Sequence, residues 1–561
     1  MKQLKYITIV LLMLVSQLGC KKGFLDSYPK NSLSAGTFYK TEDDFINATN
    51  GIYDALQSDR ELSFFPMTDI ATPYAGFGGS RFGQYENGIF GVNSGYLMAN
   101  TFWVAWYRVI FRANLVLDRI DEEGVTISVK AHDRLKGEAL FLRSLAYFYL
   151  TYLYGDVPLI LKEQKYEELL VPRNSKAEIV AQLITDLKSA ELLLPSVTEY
   201  RTNKALLGRA SRGAAKSLLG KVYVYEKRWP EAEAKLNEVI NIDKDYDLEP
   251  KFLDLFWPST ENGKESIFEV QYMGGVKEGN SYVRFAAPST LSQISTSGFS
   301  YVTPTEYYTD LFETTNGYPV SSTFVSKANA APGAGPGIVY TFNYQSADPT
   351  FNTNQPYANR DPRLAWTVWY ENTPYITEFQ SRTGQSGITY KQSYATDNGH
   401  STVKYIIGKL DLTAGDSPGN LIIMRYADIL LLYAETLIEL NRTTDAALYI
   451  NKVRQRPSVM MPTLQTLQTV RGEAIISDQA RMRKFVREER YRELAFEWGH
   501  IYMDQIRWDV FADEMVKYWT ANKLGSGSPA LGTFDKRHYL WPIPSEERSR
   551  NPKLTQNPGY N

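Results

Sequence analysis

The stretch 420–456 constrains this chain more than any other. Ile429, Leu432, Tyr433, Thr436, Leu437 and Leu440 recur there at helical spacing, in a run free of Gly and Pro. Asn441 and Arg442 interrupt the run, Thr443 or Thr444 can cap a second helix, and Ala447, Ile450 and Val453 continue the apolar stripe. The spacing predicts an antiparallel helix pair opening at Asn420. Ala434 and Ala446 fall on the small positions of the tetratricopeptide pattern, where paired helices approach most closely. The stretch 211–242 repeats the plan, with Leu219, Gly220 and Tyr223 on one helix and Ala232 on the next. Pro230 sits just inside that second helix, where its missing N–H costs nothing. A chain of 561 residues exceeds one compact core, so a helical array or several lobes is expected.

Further helices precede these pairs. Thr41 and Asp44 form a capping box ahead of Phe45, Ala48, Ile52 and Leu56. Trp103, Trp106, Tyr107, Ile110, Asn114 and Leu117 mark a second helix, and Trp103, Trp106 and Trp366 read as core residues. Leu135, Ala139, Leu142, Ala146, Tyr149 and Leu153 mark a third, stopped by Gly155 and Pro158. Ser175 and Glu178 cap a fourth that Pro195 closes. A charged helix is predicted over 478–497 and a short one over 504–508. The Pro-rich but aromatic end, from Leu540 to Tyr560, is expected to lie pinned along the surface. Between 245 and 419 the periodicity lapses into short strand-like runs (266–272, 338–343 and 365–370) among Gly, Pro, Ser and Thr. The chain thus divides into a leader (1–19), an N-terminal helical region (20–245), an irregular loop-rich insertion (246–419) and a C-terminal region with the last helix pair (420–561).

Lys2 and Lys5 followed by an apolar run of about ten residues suit a secretory signal, and the run is too short to span a bilayer. It ends at Gly19-Cys20, and Cys20 is the only cysteine. This end resembles a bacterial lipobox, so Cys20 is the expected lipidation site and the mature chain has no disulfide. A net charge of −2 with no basic tract argues against a nucleic-acid partner.

Catalytic patterns fare poorly. Gly415 to Gly419 matches G-x-S-x-G, but the residue after Ser417 is Pro418, which has no N–H to offer an oxyanion. His132, His400, His500 and His538 are far apart in sequence, and Leu248 replaces the turn Gly that a calcium loop over Asp243, Asp245, Asp247 and Asp254 requires. No catalytic residue, metal site or cofactor is therefore expected, although paired carboxylates of a glycosidase meet only in three dimensions. Binding is better motivated. A sugar presents an apolar C–H face to an aromatic ring and hydroxyls to polar side chains. Two aromatic clusters on loops fit that role: Tyr74, Phe77, Arg81, Phe82 and Tyr85, and, in the insertion, Phe299, Tyr301, Tyr340 and Tyr344.

Several motifs together resemble the SusD-like (RagB/SusD) family of outer-membrane nutrient-binding lipoproteins. They are Phe24-Leu25-Asp26 after Cys20, Gly155-Asp156-Val157-Pro158, Asp361-Pro362-Arg363-Leu364, the segment Met424 to Glu435, Glu489 to Glu497, and Trp541-Pro542-Ile543-Pro544 with Asn557-Pro558-Gly559-Tyr560. Trp498 between Glu497 and Gly499, and Met503 before Asp504, depart from the family pattern. The resemblance implies a mainly α fold, an α–α superhelix of tetratricopeptide-like pairs with a loop-rich face. It implies a lipid-anchored, surface-exposed place on the outer membrane of a Gram-negative bacterium and partnership with a SusC-like TonB-dependent transporter. It also implies an oligo- or polysaccharide ligand, or for some members a peptide, and it argues against the glycoside hydrolysis that residue spacing alone leaves open. Arg425, Tyr426 and Glu435 are then expected to be packing and ion-pair residues of the scaffold.

Overall fold

The structure, a computed structural model, describes residues 38–57, 62–76, 97–276, 278–288, 298–329, 338–370, 399–406, 416–521 and 536–560. Cys20, Phe77, Arg81, Phe82 and Tyr85 lie outside them. The principal helices are α1 (Glu42–Leu56), α2 (Leu97–Arg119), α3 (Val129–Tyr154), α4 (Lys176–Leu193), α5 (Arg212–Tyr225) and α6 (Trp229–Asn237), then α7 (Tyr426–Glu439), α8 (Thr443–Arg454), α9 (Gln479–Leu494), α10 (His500–Arg507) and α11 (Phe511–Ala521). From α1 to α6 each helix packs on the next, and α7 packs on α8 and α9. Helix α7 also lies against α6, so the array is continuous in space although long interrupted in sequence. The mainly α fold is as the sequence predicts.

Local chemistry starts and stops these helices where expected. The Thr41/Asp44 and Ser175/Glu178 capping boxes are both formed, each satisfying orphan N–H groups of a first turn. Helix α3 ends at Gly155, whose positive φ of 75° favours glycine. Gly220 faces α6 so closely that a Cβ there would overlap the Leu236 side chain, and Ala232, Ala434 and Ala446 are fully buried. These are the close-approach positions the repeat pattern singled out. The second helix of the last pair is entered without a side-chain cap: the turn is tight enough for the Arg442 N–H to reach the Leu437 carbonyl, and Thr443 is already helical.

One expectation needs correction. The segment Leu421–Arg425 is a strand, and the helix begins only at Tyr426. Its partner is Ser266–Val270, with Ser266 opposite Arg425 and Val270 opposite Leu421. A distant strand therefore overrides the helical reading of Leu421 to Met424, which are all buried. Within 246–419 the strand-like runs expected at 266–272, 338–343 and 365–370 each fall on a strand. In chain order the strands are β1 (Ala75–Gly76), β2 (Ser266–Val270), β3 (Thr303–Pro304), β4 (Val320–Asn329), β5 (Ile338–Ser346), β6 (Val368–Trp369), β7 (Ser401–Thr402) and β8 (Leu421–Arg425). They pair as β1–β3, β2–β8, β4–β5 and β6–β7, all antiparallel.

The centre of the molecule is ionic. Arg425, fully buried, donates to Glu265, Glu493 and Glu497 at 2.7–2.8 Å. Arg456 joins Glu265 and Glu493, Arg363 joins Asp361, Glu489 and Glu493, and Lys404 joins Glu497. A second group links Lys221 of α5 to Asp428 of α7, Arg490 to Asp428 and Asp504, and Arg507 to Glu435. Burial alone would raise the Glu489 carboxyl, but Arg363, Arg492 and Arg454 hold it down at about 2. The motif residues Arg363, Glu489, Glu493 and Glu497 are thus the wiring of the core, and Arg425 and Glu435 are the ion-pair residues expected. Trp498, the departure from the family pattern, is buried and stacks on Phe65 with ring centroids 5.4 Å apart.

Asp69 behaves in the opposite sense. Its carboxylate accepts the Phe496 and Tyr502 N–H groups at 2.9 and 3.0 Å, tying the 3₁₀ segment Leu62–Ala71 to the turn before α10. Burial outweighs those bonds and pushes its pKa up to about 7. An acid with a raised folded pKa holds its proton more tightly in the folded state, so its contribution declines as pH rises from about 4, the unfolded value, through about 7. The stability of Asp69→Asn relative to wild type is therefore expected to be lower at pH 5 than at pH 8, read as the gap between urea midpoints. An identical gap at both pH values would contradict this.

Candidate binding face

The five-residue helix Tyr282–Ala286 is anchored by its buried side. Tyr282 donates to the Phe496 carbonyl, and Val283 and Ala286 are buried. Arg284 and Phe285 are left half-buried on the other side. Residues 298–300 then fold back along this helix, with N–H groups of Phe299, Ser300 and Tyr301 bonded to the carbonyls of Arg284, Ala287 and Phe285. Gly298 permits the approach, because a Cβ there would collide with the Ala287 and Pro288 carbonyls. Ser300 takes a left-handed φ of 54°.

This fold-back builds a patch of three rings. Phe285 and Phe299 lie 5.3 Å apart at 24°, Phe299 and Tyr301 5.3 Å at 27°, and Phe285 and Tyr301 5.5 Å at 32°. Near-parallel rings make a common apolar surface. Phe285 and Phe299 remain partly exposed and Tyr301 is buried beside them at 7% exposure. The Arg284 guanidinium lies over Phe299 at 5.0 Å.

The other sequence-selected aromatics do different things. Tyr74 is 3% exposed, stacked on Tyr307 and packed on Tyr491, and both Tyr74 and Tyr307 donate to Glu514. It offers no open ring face. Tyr344, half-buried on β5, meets the Tyr357 hydroxyl at 3.0 Å, and Tyr357 donates to Glu306 at 2.9 Å and lies 3.2 Å from His400 Nε2. Tyr370 packs on Tyr357 at 4.0 Å. Burial and the nearby Glu306 push the Tyr344 hydroxyl far up. This is a chain of satisfied hydrogen bonds that fastens the β4–β5 hairpin to the helix Glu306–Thr309. Tyr340 is on β5, and its side chain lies outside the described set.

The structure therefore brings Phe299 and Tyr301 together as a surface and keeps Tyr74 and Tyr344 apart from them. Sequence reasoning missed Arg284 and Phe285, which complete the patch. The only signal was the adjacent pair Arg284-Phe285 within the insertion. The calcium-like carboxylates are otherwise engaged: Asp243 with Lys216, Asp245 with Thr198, and Asp247 within 4 Å of Lys264 and Lys452. Among the described residues, no group of three or more His, Cys, Asp or Glu could hold a metal. Nor is any described helix long and apolar enough to cross a membrane.

Comparison with known proteins is consistent along the chain. The model of the SusD family matches residues 264–560, and a model described as starch-binding, associating with the outer membrane, matches residues 24–224. A SusD-like protein from Formosa agariphila is 26% identical over all of this chain and 99% of its own length. A SusD-like carbohydrate-binding protein from Bacteroides fragilis superposes with a TM-score of 0.73 at 24% identity, covering 92% of this chain and 100% of that one. A laminarin-binding SusD-like protein superposes at 0.64 and 23%, over 93% of this chain and 100% of its own.

Proposed function

We propose, from the premise that this chain belongs to the SusD family, that it is a glycan-binding lipoprotein of the outer-membrane surface. It is anchored through Cys20 and passes oligo- or polysaccharide to a SusC-like TonB-dependent transporter without cleaving it. The observation that carries the binding role is the patch of near-parallel rings Phe285, Phe299 and Tyr301 next to the Arg284 cation. Relatives described as carbohydrate- or laminarin-binding, and the starch-binding model over the N-terminal part, support the ligand class. The helical array behind the patch supplies rigidity.

Calorimetric titration of the soluble chain against polysaccharides and peptides tests this reading. Phe299→Ala is expected to weaken the bound glycan about tenfold, the effect of losing partial burial of one ring, about 1.4 kcal/mol. Its urea midpoint should stay close to wild type, because the ring is partly exposed. Heat from peptides alone, with every glycan silent, would overturn the glycan role.

A further inference from the structure

Among the described residues, the cation of the ring patch makes no ion pair. Arg363, Arg425, Arg456 and Arg490 all meet carboxylates inside the protein. Arg284 is different. Among the described residues its guanidinium makes no ion pair, and its Nε, like that of Arg456, is buried without a hydrogen-bond partner. Its guanidinium lies over the Phe299 ring face. A buried donor left unpaired is costly, more so on a charged group. The backbone bonds of Phe299 and Tyr301 to residues 284 and 285 fix Arg284 beside the rings. Any sugar lying on Phe285 and Phe299 would bring its ring substituents to the guanidinium.

We propose that the ligand of this face is an anionic glycan, whose carboxylate or sulfate pairs with Arg284 while its sugar ring lies on Phe285 and Phe299. The inference rests on the glycan-binding reading and adds the charge class. A planar guanidinium can pair both oxygens of a carboxylate or two of a sulfate, a bidentate bond that neutral hydroxyls do not match. Bringing the anion onto this half-buried cation also gives it a charge partner that none of the described residues provides.

The test is calorimetry with matched pairs: polygalacturonate against its carboxyl-reduced polymer, and a sulfated galactan against its desulfated form. Wild type is expected to bind at least one anionic member about tenfold or more tightly than its neutral counterpart, less so as salt is raised, and the member that binds identifies carboxylate or sulfate. Arg284→Gln should abolish the anionic-over-neutral preference, read as the ratio of the two affinities in each matched pair, with Arg284→Lys falling between, since it keeps the charge and loses the fork. Equal or tighter binding of the neutral polymers, or a preference that survives in Arg284→Gln, overturns the anionic assignment and leaves the glycan role standing. Failure to bind any glycan overturns both.

Discussion

Arg425→Met is expected to lower the stability of this protein by about 3–5 kcal/mol, the range seen when one partner of a buried ion pair is removed. Methionine fills much of the volume but donates nothing. Glu265, Glu493 and Glu497 would each lose a bond of 2.7–2.8 Å in a place water does not reach. Lys404 and Arg456 also reach Glu497 and Glu493, so part of the charge stays compensated. The loss is nonetheless shared among strand β8, strand β2 and helix α9, because Arg425 closes β8, Glu265 precedes β2 and Glu493 ends α9. Urea unfolding at pH 7 followed by far-UV circular dichroism measures it, and a loss below about 1 kcal/mol would show the cluster to be self-sufficient without Arg425. The same cluster sets the acid limit. Glu489 titrates at about 2 in the folded protein, and Glu493 is held well below the usual carboxylate range against its burial by Arg456, Arg425 and Arg363. Carboxyls with depressed folded values contribute fully above the unfolded value of about 4.3, and that contribution is lost as pH falls toward 2.

Trp541→Ala should be comparably costly, about 3–5 kcal/mol. Trp541 is 4% exposed, lies on Phe102 with centroids 5.5 Å apart, and donates its indole N–H to the Tyr502 hydroxyl at 2.7 Å. Its backbone N–H caps the Leu153 carbonyl at 2.7 Å, near the C-terminus of α3. Asn557 then bonds the Tyr154 and Trp541 carbonyls, and Arg173 bonds Asn557 and Thr555. The C-terminal segment is a strap pinned by the buried Trp541 ring, with buried Ile543 and Leu554 and these polar bonds beside it. The variant should unfold at a lower urea midpoint and give limited proteolysis access to residues 536–560. A midpoint within the error of wild type would mean the other contacts retain the strap.

What was legible in the sequence followed from local rules. Capping boxes, the Gly155 stop, the Pro230 position and the small residues between paired helices each depend on neighbours within a few positions. What was not legible depends on partners far away. Leu421–Arg425 reads as the first turn of an apolar helix until Ser266–Val270 is placed beside it, since a short apolar run has no period of its own. The aromatic loops show the same limit. Tyr74 and Phe299 look alike in sequence, and only packing makes the first a buried anchor and the second part of an open surface. Arg284 was invisible for a further reason: its interest lies in what it does not bond, which no residue pattern states.

The contact between α6 and α7 also has a consequence for the order in which the chain can fold. Lys221 of α5 and Asp428 of α7, which join alongside it, are 207 residues apart. At ~5–20 residues per second of synthesis, α5 and α6 wait ~10–40 s for their neighbour. Throughout that interval Lys221 lacks its anion and one face of α6 lacks its cover. Closure of the array is thus a late, long-range step with a large loop-closing entropy, and it is the point at which folding competes with association of unfinished chains.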